Sequence, residues 1–299
     1  ILKKLKNQIN NKFKLDILIC DSYSKYNLKL FPKNNKNFKI SYFNLKKNIL
    51  STKRNYGIKK SKFRNIILID DDCIPEKNFL VNYFKSFQNV DNKSILSGII
   101  NYPKNYLKVS NYLKYRASRH FKILEGKNFY FEKLPANKIV AMNMGFVKSK
   151  KFTKIGYFNE GFVGYGFEDF EFGYRYKKSG FKLVKTNASI THDEGKPDFD
   201  KYLTKFYHLG RDGMRNLKIL NASSAATTSY FKLENNIFFK ILINIPKIDF
   251  LLLKLQKIIF LFERLQIIYL PYLYTFLRVI SYTRGVLDRN KKKLKPTNR

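Results

Sequence analysis

Two acidic groups in this chain have the residue types and spacing to do chemistry. Glu168 and Asp169 are adjacent carboxylates, with a third acid at Glu171, inside the stretch GYFNEGFVGYGFEDFEFGYRYKKSGFKLV from Gly156 to Val184. They follow a Gly-Tyr-Gly turn and precede a segment that Gly180 stops, which places them in the first turn of a helix. The macrodipole favours negative charge there, and a carboxylate exposed at a rim can act as a general base. The same pair also fits an ordinary acidic helix start. A second group, Asp70-Asp71-Asp72, closes the apolar run Asn65-Ile66-Ile67-Leu68-Ile69.

The elements around these acids alternate. A helical period in Ile1, Leu2, Leu5 and Ile9 is followed by a buried strand, Leu15 to Cys20, and a short strand, Phe38 to Phe43. A helix is expected over Ile49 to Lys60. The continuous apolar run ending at Ile69 suits a central parallel strand buried on both faces, with Pro75 opening the next helix. Ser94 to Ile100 and Ile139 to Val147 read as strands, and the aromatic, basic segment Tyr106 to Leu124 as a helix. Phe181 to Val184 and Ser189 to Asp193 are two further strand candidates. Strands alternating with helices argue for an open α/β sheet. In such sheets ligands bind outside the carboxyl ends of the strands, where Asp70 to Asp72 lie.

Composition narrows the classes. At 299 residues, 44% hydrophobic and 16% aromatic, the chain can bury a sizeable core, which excludes wholesale disorder. Its formal charge of +37, from 59 basic and 22 acidic residues, points to a polyanionic partner, although lysine and asparagine are abundant everywhere in the chain. Cys20 and Cys73 are the only cysteines. They read as core fillers, so neither a disulfide framework nor a structural zinc site is indicated. The chain begins inside a helix, without methionine, and is expected to be a piece of a longer protein.

From Phe238 onward the chain is strongly apolar, yet Lys240, Lys247, Lys254, Lys257, Arg264 and Arg278 interrupt it. A bilayer-spanning helix needs about 20 mostly apolar residues, and no window meets that without a charge. Amphipathic helices lying on an anionic membrane surface are expected instead, with a helical cap on the core as the alternative. The tail from Arg284 to Arg299 is expected to fray.

The segment ILIDDDCIP resembles the DxD segment of family 2 glycosyltransferases, and GYFNEGFVGYGFEDFEFGYRYKKSG resembles their G-x-G-x-E-D-x-E block. That block is shared with the galactosyltransferase-type C-terminal block of chondroitin-polymerase-like enzymes. The resemblance covers roughly the first 215 residues. It implies a GT-A nucleotide-diphospho-sugar transferase fold with a mostly parallel sheet, whose first strand would precede Ile1. A catalytic domain over 1–215 follows from it, and the apolar, basic character of the remainder makes 216–299 a helical region expected to associate with a membrane.

The resemblance also implies roles. Asp72, Asp70 and His192 would hold Mn²⁺ or Mg²⁺, hard cations that prefer oxygen ligands and neutralise a leaving diphosphate. Asp70 and Asp71 would face the nucleotide-sugar, Asp21 its base, Arg54 its base and diphosphate, and Asn143 the sugar pocket. Asp169 would be the catalytic base, with Glu168 binding or orienting the acceptor. Two carboxylates so close would raise one pKa, which suits a base near neutrality. The expected reaction is an inverting transfer from a nucleotide-diphosphate donor, UDP by preference, to a growing polysaccharide or lipid-linked saccharide at the cytoplasmic face of a membrane. The family often has Asp-Asp-Gly-Ser where this chain has Asp21-Ser22-Tyr23-Ser24, which weakens the preference for uracil.

Two other readings stay open on the residues: a polyanion-binding protein without catalysis, and a degenerate transferase kept as a binding partner. Nucleic-acid binding is disfavoured, because the aromatics follow apolar periods rather than sitting on basic stacking platforms.

Overall fold

The computed structural model describes residues 1–9, 14–22, 31–120, 134–264, 266 and 269–291. The chain divides into two compact units that interleave in sequence. The first takes Ile1–Pro103, His120–Glu160 and Phe172–Glu194, and the second takes Lys104–Arg119, Gly161–Glu171 and Gly195–Arg299. The boundary expected at residue 215 falls inside the second unit.

The first unit is α/β. A short helix α1 (Leu2–Lys6) leads to β1 (Leu15–Asp21) and β2 (Phe38–Asn44), a parallel pair running from Leu15↔Phe38 to Asp21↔Asn44. Helix α2 (Leu50–Lys60) lies against β1, and Cys20 Sγ would sit 3.3 Å from a Cβ built on Gly57. Then come β3 (Asn65–Ile69), β4 (Cys73–Pro75), α3 (Phe79–Asn89) and β5 (Ser94–Asn101). After α4 (Lys104–Val109) and α5 (Asn111–Ser118), which belong to the second unit, follow β6 (Asn143–Val147), α6 (Lys150–Ile155), α7 (Glu168–Lys178) and β7 (Lys182–His192). Five of these strands form one sheet in the order β3-β6-β5-β7-β4.

The α/β expectation holds, but the sheet is mixed rather than mostly parallel. β5 runs parallel to β7, while β3 and β5 are antiparallel to β6, and β4 is antiparallel to β7. An apolar run reports burial and not direction, because both orientations satisfy the backbone. The run Asn65–Ile69 is accordingly not central: β3 ends the five-strand order and is only partly buried. The fully interior strand is β5, where seven of eight residues are buried. Pro75 closes β4 instead of opening a helix, and the two strand candidates after Gly180 are one continuous β7. The segment from Tyr106 breaks into α4 and α5 at Ser110, whose side chain caps α5 by accepting from Leu113 N. Residues 121–124 of that expected helix lie outside the described residues.

The core between sheet and helices is aromatic. Phe146 stacks on Phe152 at 4.4 Å and Phe158 on Phe172 at 4.3 Å, with Tyr176 packed against both Phe152 and Phe172. Such pairs contribute about 0.5–1.5 kcal/mol each beyond area burial. Arg175 ties the later turns of α7 to the chain before it, donating to Ile155 O, Gly156 O and Tyr157 O at 2.7–3.0 Å.

The second unit is helical. Beyond α8 (Phe199–His208), a π-helical turn over Leu209–Gly213 continues into α9 (Met214–Leu220), α10 (Ala222–Ala226) and α11 (Ser229–Asn235). α12 (Ile237–Asn244), α13 (Ile248–Arg264) and α14 (Pro271–Lys291) complete it. Gly285 of α14 meets Tyr207 O, and Gly210 meets Tyr282 O, so closely that neither site has room for a Cβ. The expected fraying from Arg284 is absent as far as Lys291, because α14 packs along α8 and buries Val286 and Leu287. Among the described residues no helix is long and apolar enough to cross a membrane.

Candidate active site

In the first unit, β4 and β7 bring together residues that are remote in sequence. The antiparallel register pairs Cys73 with His192, so Asp72 and His192 meet at the strand ends. His192 Nε2 lies 3.1 Å from Asp72 Oδ2 and 3.5 Å from Glu194 Oε1. Among the described residues, Asp72, Cys73 and His192 form a group whose ligand-capable atoms all lie within 4.8 Å of one another. His192 is buried, and its Nδ1 is enclosed without a hydrogen-bond partner. A buried polar atom left unsatisfied costs about 1–3 kcal/mol, and sites that tolerate this are candidates for a ligand.

Electrostatics separate the three aspartates. Burial pushes the Asp72 carboxyl up, but hydrogen bonds from His192 and Cys73 and the field of His192 outweigh it and hold it below its ordinary value. Asp72 is therefore an ionised oxygen donor at neutral pH. Burial raises Asp70, and the neighbouring Asp72 adds to this against the pull of Arg54. Arg54 Nη2 approaches Asp70 Oδ1 at 3.5 Å, and its guanidinium also lies over the Phe158 ring. Asp71 is exposed and lines, with Asp72, Asp193 and Ile74, an open depression of about 490 Å³.

Cys73 is the residue that sequence reading undervalued. Its Sγ lies 3.4 Å from Asp72 Oδ1 and donates to it, while burial and the two nearby aspartates drive the thiol well above its usual value. It therefore stays protonated. That makes Cys73 an orienting donor for Asp72 and a poor ligand for a hard cation. Asp72 supplies an ionised carboxylate oxygen of the kind such a cation takes, while Asp70 lies outside the group that Asp72 forms with Cys73 and His192 and is paired with Arg54. Glu194 also went unnoticed in the sequence, although its place two residues after His192, at the end of a strand, was a usable signal.

Arg54 owes its position to α2. Asn55 on the same helix donates to Phe158 O and Glu160 Oε1, both at 2.8 Å, and accepts from Phe158 N at 2.9 Å. Thr52 Oγ1 adds a bond to Glu160 Oε2 at 2.9 Å. These bonds hold Arg54 on the side of Asp70. Asp21 ends β1, as expected, and its carbonyl accepts from Leu45 N at 2.7 Å.

Asn143 needs correction. Its side chain is fully enclosed in the sheet, donating to Ile99 O and Ala188 O at 3.0 Å each and accepting from Tyr83 Oη at 2.7 Å. Gly98 leaves no room for a Cβ against this amide. Both Asn143 N–H groups are committed to the β5–β7 irregularity between Ser97 and Ile99, so it is a peg in the sheet and not a wall of a sugar pocket.

The second acidic group belongs to the second unit. The α7 helix begins at Glu168, with Glu168, Asp169 and Glu171 in its first turn and Arg175, Lys177 and Lys178 near its end, the charge order that the macrodipole favours. The turn before it is forced: Gly164 and Gly166 have φ of 92° and 95°, and Phe167 has φ of 70°. A bulky residue in that region costs of order 1–3 kcal/mol. Glu168 and Glu171 are buried and Asp169 is half-buried, so the pair is less open than the expected rim. Asn221 Nδ2 reaches Glu171 Oε1 at 3.4 Å.

Comparison with known proteins agrees with this architecture. The description Glycosyl transferase family 2 matches residues 1–154, and the description N-terminal domain of galactosyltransferase matches residues 123–195. The chain belongs to glycosyl transferase family 2, and its α/β fold is of the GT-A type. No curated protein sequence matches it. Among solved structures, it resembles GalNAc-T7 with UDP, GalNAc and Mn²⁺ at 14% identity and a TM-score of 0.37, over 65% of this chain and 43% of that one. It also resembles S. aureus TarS 1-349 at 11% identity and a TM-score of 0.42, over 97% of this chain and 86% of that one. The chain thus spans less than half the length of the GalNAc-T7 structure.

Proposed function

We propose that this chain is a divalent-metal-dependent, inverting glycosyltransferase. It moves a sugar from a nucleotide-diphosphate donor, UDP by preference, to a growing polysaccharide or lipid-linked saccharide at the cytoplasmic face of a membrane. Catalysis is assigned to 1–215 and membrane association to 216–299. The observation that carries this reading is the meeting of Asp72 with His192, whose Nδ1 is buried and unsatisfied.

Asp72, His192 and Asp70 would hold Mn²⁺ or Mg²⁺, which when bound supplies positive charge opposite the diphosphate. The chain's own groups do the rest. Arg54 and Asp71 orient the diphosphate and sugar, and Asp21 contacts the base. Cys73 fixes the carboxylate of Asp72 through its thiol hydrogen. Asp169 accepts the proton of the acceptor hydroxyl as its oxygen bonds to the anomeric carbon, and Glu168 orients that acceptor. The bond from the anomeric carbon to the phosphate oxygen breaks, and its electron pair leaves on the nucleoside diphosphate. A single displacement of this kind inverts the configuration.

The test is sugar transfer from a panel of nucleotide sugars, with product configuration read by NMR. Asp169→Asn keeps the shape but cannot accept a proton, and general-base loss costs about 10²–10⁴ in rate. Donor affinity, measured by calorimetry with the metal present, should survive. Undiminished turnover in excess chelator overturns the metal role, and parental turnover in Asp169→Asn overturns the base.

A further inference from the structure

The second unit exposes large apolar side chains on three successive helices. On α12, Ile237 and Ile241 are exposed with Phe238, which is 76% exposed, and Ile245 is exposed just past its end. On α13, Phe250, Leu251, Leu255, Ile258 and Leu261 are all exposed, while Ile248 and Leu252 are turned inward. Helical spacing puts the five exposed residues within one face of α13, and the buried pair lies to its side. Tyr272 at the start of α14 is 88% exposed and Phe276 nearly half so. Soluble surfaces rarely leave apolar patches of this extent in water.

The charges decide the occupant. Lys240, Lys254 and Lys257 on these same helices, and Lys247 between them, are all exposed. Lys254 folds its ammonium over the Phe250 ring at 4.5 Å, as a lysine does when its stem covers apolar surface and its head reaches for a polar layer. Lys247 holds a left-handed backbone, φ 59°, at the corner between α12 and α13. Asp249, beside them, is engaged within the chain, pairing with Arg284 at 3.2 Å and Lys291 at 3.6 Å. A second copy of this surface would therefore bring lysine against lysine across an apolar contact, with Asp249 already paired. A sheet of anionic headgroups over acyl chains matches both the basic and the apolar parts.

We infer that α12, α13 and the start of α14 form a membrane-docking face. It lies flat in the interface of an anionic bilayer, with Ile241, Phe250, Leu251 and Ile258 inserted and the four lysines at headgroup level. Exposed tyrosine at the first turn of α14 suits the same boundary. This rests on the membrane association proposed above for 216–299 and names the face that makes it, while sugar transfer to a soluble acceptor is read separately.

Flotation of the full chain with vesicles tests it, using pure phosphatidylcholine against phosphatidylcholine carrying about one third phosphatidylglycerol. Binding should favour the anionic vesicles, and each lysine removed should weaken it roughly fivefold, so Lys254→Gln with Lys257→Gln should lose roughly 25-fold at low salt. Leu251→Asn and Ile258→Asn should each lower binding on the order of tenfold. All four residues are exposed, and circular dichroism with sugar transfer to a soluble acceptor should be unchanged in these variants. Equal flotation with neutral and anionic vesicles overturns the inference, as does no flotation with either. A dimer in sedimentation velocity that Leu251→Asn dissociates, without lipid binding by the parent, assigns the face to a second copy and overturns it as well.

Discussion

Two acidic centres of this molecule look alike in composition and differ in how completely they are satisfied. In the second unit, Glu234 accepts from Tyr282 Oη at 2.6 Å and Arg289 Nη1 at 3.1 Å on one oxygen, and from Lys218 Nζ at 2.5 Å on the other. Its side chain is 7% exposed, and Tyr282 and Val286 beside it belong to the buried core. In the first unit, Asp72 has one long bond from a thiol and one from a histidine whose other nitrogen is stranded, and its side chain is 39% exposed beside an open depression. A carboxylate with its lone pairs filled by permanent cations has nothing left to offer a ligand. One that is held ionised but incompletely paired is ready for a ligand. The comparison separates a carboxylate filled by structural partners from the one that the proposed function gives to a ligand, although both carboxyls are held below their ordinary values against the upward push of burial.

The sharpest way to break this contrast is Asp72→Ala. Loss of a hard-cation ligand should lower sugar transfer by several kcal/mol, roughly 10³-fold or more, while the urea midpoint changes little. An equal fall in stability would make both centres structural. Glu234→Ala is the mirror experiment: removing one partner of a buried pair costs about 3–5 kcal/mol, seen in urea unfolding, with transfer per folded molecule retained.

Asn143→Ala is a smaller probe of the same distinction. It should destabilise by about 1–3 kcal/mol through the unpaired Tyr83, Ile99 and Ala188 groups, leaving donor affinity by calorimetry unchanged. A selective loss of donor binding would return Asn143 to the sugar pocket.

The smallest effect is on pH dependence. A carboxylate whose folded pKa is lowered contributes stability that is present above its unfolded pKa, about 4.3 for Glu. That contribution is lost as pH falls through the lowered folded value. The urea midpoint of the parent should therefore fall in acid below about pH 4.3, and Glu234→Gln should flatten that fall. Asp72→Asn should flatten it less, because water screens its partly exposed pair.

Much of the site could be read from local sequence. The start of α7 at Glu168 follows from a turn that only glycine takes easily, and its end near Lys178 from Gly180 at φ 81°. The acids after Ile69 fall at a strand end, as an apolar run followed by charge predicts. Asn143 shows the limit. A polar residue beside Met144-Gly145 looks the same in sequence whether it faces a ligand or a neighbouring strand, and only the β5–β7 irregularity beside it decides.

By itself the sequence determined the alternation of strands and helices, the acidic first turn of α7 and the basic, apolar character of α12 to α14. Each is a matter of periodicity, turn chemistry or charge within a few residues. The tertiary structure alone decided strand direction and order, the pairing of Cys73 with His192, the protonated thiol at Asp72 and the pairing of Asp249 with Arg284. These depend on which distant backbones hydrogen-bond to one another and how much water is excluded between them. Neither quantity is written in any local stretch of residues.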